Sequence, residues 1–144
     1  MASNPYVEIR NGFQFLECAV RQKDSLSRCS FPNHLGSGRA ESSLRDYVFC
    51  LMLVSAIAQL EHDIEQLTDV PGLGKANKLA IKLRILRNHF HISAEAFEAL
   101  DRLREARNDF VHSGRFNLDA GCTKSEIPGI MVTFLQRCSH PGYL

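Results

Sequence analysis

The chain has 144 residues and a mass of 16.2 kDa, with 44% hydrophobic and 23% charged residues; this suffices for one domain with a buried core and excludes a disordered, collagen-like or coiled-coil chain. The net charge of +1 hides an asymmetry: residues 1–72 hold six Lys/Arg against nine Asp/Glu, and residues 73–144 hold eleven against seven. Five basic residues and no acidic one lie between Lys75 and His91, a pattern that argues against general DNA coating and fits either a local polyanion-facing surface or a solvated helix face.

Asn4-Pro5 marks a helix start with Pro5 at its first position. Tyr6, Ile9, Phe13, Leu16 and Val20 then recur at helical spacing, predicting a first helix to about residue 28. Residues 29–40 contain Pro32, Gly36, Ser37 and Gly38 and read as a mobile loop. Ser42 or Ser43 is the expected cap of a second long helix. It is apolar nearly all round from Leu44 to Leu60, so it belongs to the core or to a dimer contact. Val70-Pro71-Gly72-Leu73-Gly74 breaks it. A third helix is expected over about 75–90, with Leu79, Leu83, Leu86 and Phe90 in one stripe. Lys75, Lys78 and Lys82 flank that stripe on one side, Arg84 and Arg87 on the other. Ser93 caps a fourth helix over about 94–112, ended by Gly114. Residues 115–124 read as loop, 129–138 as a short fifth helix after Pro128, and 139–144 as a flexible tail. No internal repeat and no convincing strand is visible. The expectation is an all-α, single-domain bundle of four to five helices over residues 1–144.

Val48 to Ile57 is an apolar run of ten residues including Ser55, too short to cross a bilayer. Residues 1–10 carry Glu8 and lack the apolar stretch of a leader. A cytosolic protein that engages no membrane is expected. The five cysteines (Cys18, Cys29, Cys50, Cys122, Cys138) form no CxxC or CxxxC pair, so free thiols are expected and neither a metal site nor a cofactor is. Cys138 and His140 are close in sequence but fall in the expected tail. His89 and His91 alternate across Phe90 and do not share a helix face. Phe13, Phe15, Phe49 and Phe97 are expected in the core rather than as base-stacking platforms.

The informative segment is the end of the fourth helix, Leu103-Arg104-Glu105-Ala106-Arg107-Asn108-Asp109-Phe110-Val111-His112-Ser113-Gly114. Leu100, Leu103, Phe110 and Val111 form its apolar face, and Arg107 projects from the middle of that face. A buried guanidinium without a partner is costly, so Arg107 either pairs internally, with Glu61, Asp63 or Glu65 as candidates, or faces an interface or cleft. Arg104, Asn108 and His112 line a neighbouring polar strip. In a regular helix Arg107 and His112 diverge by about 140°. They converge on one phosphate only if the last turn loosens or if two chains contribute.

Arg107-Asn108-Asp109-Phe110-Val111-His112 resembles the Arg-x(4–6)-His motif of the HEPN superfamily, with Asn108 as the polar residue favoured just after the arginine. Arg84 with His89 or His91 also fits the spacing but lacks that polar residue. The resemblance implies a metal-independent endoribonuclease, a toxin or defence effector, dimeric and able to pair with an antitoxin or effector-complex protein. It also implies roles. His112 would act as base on the ribose 2′-hydroxyl or as acid on the leaving 5′-oxygen. Arg107 would hold the phosphate and stabilise transition-state charge, and Asn108 would orient one of them. Lys75, Lys78, Lys82, Arg84, Arg87 and Arg104 are the candidate contacts to the RNA backbone. Toxin-type members often carry Tyr two residues past the motif histidine; here that position is Gly114.

Val70-Pro71-Gly72-Leu73-Gly74-Lys75 resembles the turn of a helix-hairpin-helix motif, whose backbone N–H groups meet a nucleic-acid phosphate. The alternative function is therefore a catalytically silent HEPN or helix-hairpin-helix-like module that binds nucleic acid or protein. A P-loop is excluded by Asp69 and Ala76, where Gly and Ser/Thr are required.

Overall fold

The computed structural model describes residues 4–21, 40–113 and 125–144. Among the described residues are five α-helices and no strand, which is the all-α bundle that the periodicity predicts. Helix α1 (Pro5–Arg21) starts where expected: the Asn4 side-chain oxygen accepts from the backbone N–H of Tyr6 at 2.9 Å and of Val7 at 3.4 Å. Tyr6 is buried, and Ile9 and Phe13 pack on the core one and two turns later. Leu16 is half-exposed and Phe15 is 76% exposed, so Phe15 is not the core residue expected of it. Its neighbours Phe13 and Leu16 lie about 200° and 100° from it around the helix, and a single docked face does not reach it.

Helix α2 (Ala40–Glu65) is already helical at Ala40, so Ser42 and Ser43 lie within it instead of capping it. Cys50, Met52, Leu53, Ala56, Ile57, Leu60 and Ile64 are buried, and the helix packs against α1, α4 (Ala94–Ser113) and α5 (Ile127–Arg137). Its stretch 46–65 is long and apolar enough, by length and composition, to cross a membrane. A count of uninterrupted apolar residues misses this. In the fold that stretch is the centre of the bundle, because a helix apolar on most sides needs neighbours on most sides.

Past α2 the chain turns through Gly72, in the left-handed region at φ +82°, into a single 3-10 turn over Leu73–Lys75. Helix α3 (Leu79–Phe90) begins only at Leu79, with extended Lys78 as its N-cap. The third helix is therefore shorter than the expected 75–90. Lys75 sits in the 3-10 turn and Lys78 before the helix, and Lys82 alone of the three lysines is helical. Leu83 and Leu86 are buried, with Leu79 and Phe90 partly so. His91 closes α3 in the left-handed region (φ 52°), and the Ile92 N–H reaches back to the Arg87 carbonyl at 3.0 Å. Ser93 caps α4 as expected: its hydroxyl accepts from the Ala96 N–H at 3.3 Å.

Helix α4 buries Leu100, Leu103 and Ala106. Helix α5 begins two residues earlier than expected and takes Pro128 into its first turn, where no backbone donor is needed. The segment 139–144, expected as a flexible tail, folds back: His140 is 2% exposed and a 3-10 turn spans Pro141–Tyr143. The loops expected at 29–39 and 115–124, the end of the first helix beyond Arg21, and Gly114 lie outside the described residues.

Candidate functional site

Helix α4 keeps regular α-geometry through Ser113, so its last turn does not loosen. Arg107 and His112 of one chain therefore point about 140° apart. Arg107 turns inward: its Nη2 lies 3.5 Å from Oε1 of Glu61 on α2, and the side chains are 22% and 41% exposed. Of the three acidic candidates it is Glu61 that pairs. The Arg107 Nε is buried and has no hydrogen-bond partner among the described residues. His112 is exposed on the last turn of α4 and Asn108 is half-buried. Nearby, the Tyr47 and Phe110 rings meet edge to face with centroids 6.0 Å apart, which fastens the end of α4 to the α2 segment beside it.

The six candidate backbone-binding cations are spread over the 3-10 turn, the start and body of α3, and α4. Arg104 donates to Asp101 at 2.8 Å, approaches Glu105 at 3.7 Å, and its side chain is 16% exposed. Both partners lie on its own helix, α4. Arg87 lies over the Phe97 ring, 4.8 Å from the centroid, a cation–π contact that holds the guanidinium against α4. Arg84 is exposed on α3. Lys75 and Lys78 are exposed ahead of α3, and Lys82 lines a cleft with Glu65, Thr68 and Gly74. At the turn that resembles a helix-hairpin-helix motif, Gly72 is left-handed, Leu73–Lys75 form a 3-10 turn, and α3 opens at Leu79, five residues after Gly74.

A second polar cluster was not visible in the sequence. Oδ2 of Asp63, a residue 4% exposed, accepts from the Tyr6 hydroxyl at 2.7 Å and the Tyr143 hydroxyl at 2.6 Å, and Oδ1 accepts from Gln59 at 3.1 Å. His140 Nε2 lies 3.0 Å from the Asp63 backbone oxygen, and its Nδ1 accepts from the Gly142 N–H at 3.0 Å. Because a carbonyl only accepts, the proton of this imidazole sits on Nε2. Burial first, then the bond to Asp63, pushes both the Tyr6 and Tyr143 phenols well above the ordinary tyrosine value. The partners are 57 to 80 residues apart, so no local spacing announces the cluster. Each polar group in it has its partner inside the fold, which makes it a clasp that holds the first turn of α1 and the Pro141–Tyr143 turn to α2.

Cys18, Cys50 and Cys138 are free thiols, as expected, and Cys29 and Cys122 lie outside the described residues. Burial pushes Cys50 and Cys138 up to about 12, so neither is a poised nucleophile. Among the described residues no group of three or more His, Cys, Asp or Glu is placed to hold a metal ion. Comparison of the chain with protein-family models, with curated proteins and with solved structures finds no match.

Proposed function

We propose that the protein is a HEPN-type, metal-independent endoribonuclease that acts as a dimer. The observation that carries the reading is the Arg107-Asn108-x-x-x-His112 string at the end of a late helix, with His112 exposed and the Arg107 Nε without a hydrogen-bond partner among the described residues. His112 removes the proton of the 2′-hydroxyl, O2′ attacks the adjacent phosphorus, and the P–O5′ bond breaks as the 5′-oxygen takes a proton. The products are a 2′,3′-cyclic phosphate and a 5′-hydroxyl. Arg107 holds the non-bridging oxygens, where its planar fork matches a phosphate. The need for a 2′-hydroxyl restricts the reaction to RNA. Lys75, Lys78, Lys82 and Arg84 supply backbone attraction that weakens with salt.

One observation favours a second reading. The contact of Arg107 with Glu61 is also what a structural ion pair looks like, and it fits a catalytically silent domain that binds nucleic acid or protein. A digest in EDTA separates the two. Wild type, His112→Ala and Arg107→Ala are given total cellular RNA and short oligoribonucleotides, and the product ends are mapped. The ribonuclease reading expects cleavage by wild type and a loss of about 10²-fold or more in each variant. Equal cleavage by all three, or none by wild type, rejects it, and binding without cleavage supports the silent module.

A further inference from the structure

A guanidinium receives a phosphate or carboxylate in bidentate fashion along one of two edges, Nε/Nη2 or Nη1/Nη2, and Nη2 belongs to both. On Arg107 that shared nitrogen is already engaged. Nη2 meets Glu61 at 3.5 Å, and Nε is buried without a partner among the described residues. Carboxylate and phosphodiester compete for the same donors, so an anion takes either edge in full only after Arg107 leaves Glu61. The bond that holds Arg107 closed is long for a charge-assisted pair, and Glu61 is 41% exposed, so solvent screens it and opening is cheap. Opening also lets the buried Nε find a partner. We propose that Glu61 is an intramolecular stand-in for the RNA phosphate, an autoinhibitory contact that Arg107 exchanges for the phosphodiester on binding. This rests on the ribonuclease reading for the identity of the ligand, though not for the contact itself.

The test is a double-mutant cycle on binding. Wild type, Glu61→Gln, Arg107→Ala and the double variant are titrated at low salt against a short 2′-O-methyl oligoribonucleotide, which binds but lacks the nucleophile. Cleavage of unmodified RNA is followed in parallel, and thermal melts show that all four proteins are folded. Glu61→Gln is expected to tighten binding about 5-fold, equivalent to about 1 kcal/mol, and this gain is expected to vanish in the Arg107→Ala background. An unchanged or weaker affinity in Glu61→Gln overturns the proposal. So does an equal gain without Arg107, because that is the effect of removing any negative charge. The two ideas fail separately. Cleavage that depends on His112 upholds the ribonuclease reading whatever Glu61→Gln does, and binding without cleavage rejects that reading while the cycle still decides the role of Glu61. No binding by any of the four proteins rejects both.

Discussion

Asp63 holds two phenols and an amide on its carboxylate and an imidazole on its backbone oxygen. Hydrogen bonds to a charged acceptor contribute more than neutral ones, and removal of the acceptor leaves buried donors without partners. Asp63→Ala is therefore expected to cost about 2–4 kcal/mol in urea unfolding, with Asp63→Asn milder because one amide oxygen still accepts. A cost below about 1 kcal/mol for the alanine variant would mean that water replaces the carboxylate and that the clasp is dispensable. The phenols give the same cluster a pH signature. The folded-state values of Tyr6 and Tyr143 are raised from 10, as are those of Cys50 and Cys138 from 9. A raised value means that the stabilisation is present in full below the unfolded-state value and is lost as pH rises above it. Melting temperature is expected to be insensitive to these four groups up to about pH 8.5 and to fall between about pH 9 and 11. Tyrosinate absorbance of Tyr6 and Tyr143 should rise with unfolding, not before it. Ionisation of both phenols in a protein that is still folded at pH 10 would contradict the burial.

Among the elements, those with a local chemical signal were legible and those fixed by tertiary partners were not. Asn4 and Ser93 announce helix starts because an N-cap acts within three residues of itself, and both bonds are made. The α3 stripe was legible because Leu83 and Leu86 repeat at helical spacing and are buried. The start of α3 is not legible, because Lys75 to Lys78 have ordinary helix propensity while the Gly72 turn imposes a 3-10 step before the helix begins. Ser42 and Ser43 have the chemistry of caps, yet α2 runs through them; long core helices are set by packing more than by propensity. The 139–144 segment read as a tail because Pro141 and Gly142 look like loop, while what docks it is Tyr143 on Asp63, 80 residues away. The candidate site divides in the same way. Arg107 pointing inward from an apolar face follows from periodicity, and its pairing with Glu61 rather than Asp63 does not, since Tyr6 and Tyr143 claim Asp63 first. The commitment of Arg104 to Asp101 was within reach of the sequence, because i,i+3 pairing on a helix is a local rule.

At the scale of the whole molecule the question is how a helix that sends Arg107 inward and His112 outward builds one catalytic centre. With α4 regular to Ser113, one chain does not aim both side chains at one phosphate, so the proposed activity requires a second copy that supplies the missing group. A two-fold dimer does this twice, each site drawing Arg107 from one protomer and His112 from its partner. Mixing then becomes diagnostic. Arg107→Ala and His112→Ala are each expected to be inactive alone. After the two are unfolded together and refolded at equal amounts, half the dimers are mixed and each mixed dimer has one intact composite site, so recovery of about a quarter of wild-type cleavage is expected. The control is the same mixing of Arg107→Ala with the double variant Arg107→Ala/His112→Ala, in which no composite site contains an arginine and no recovery is expected. If the first mixture stays silent while wild type refolded in the same way cleaves RNA, both groups act from one protomer. Helix α4 would then have to unwind at its last turn on binding RNA, and the regular geometry seen here would be the resting state only.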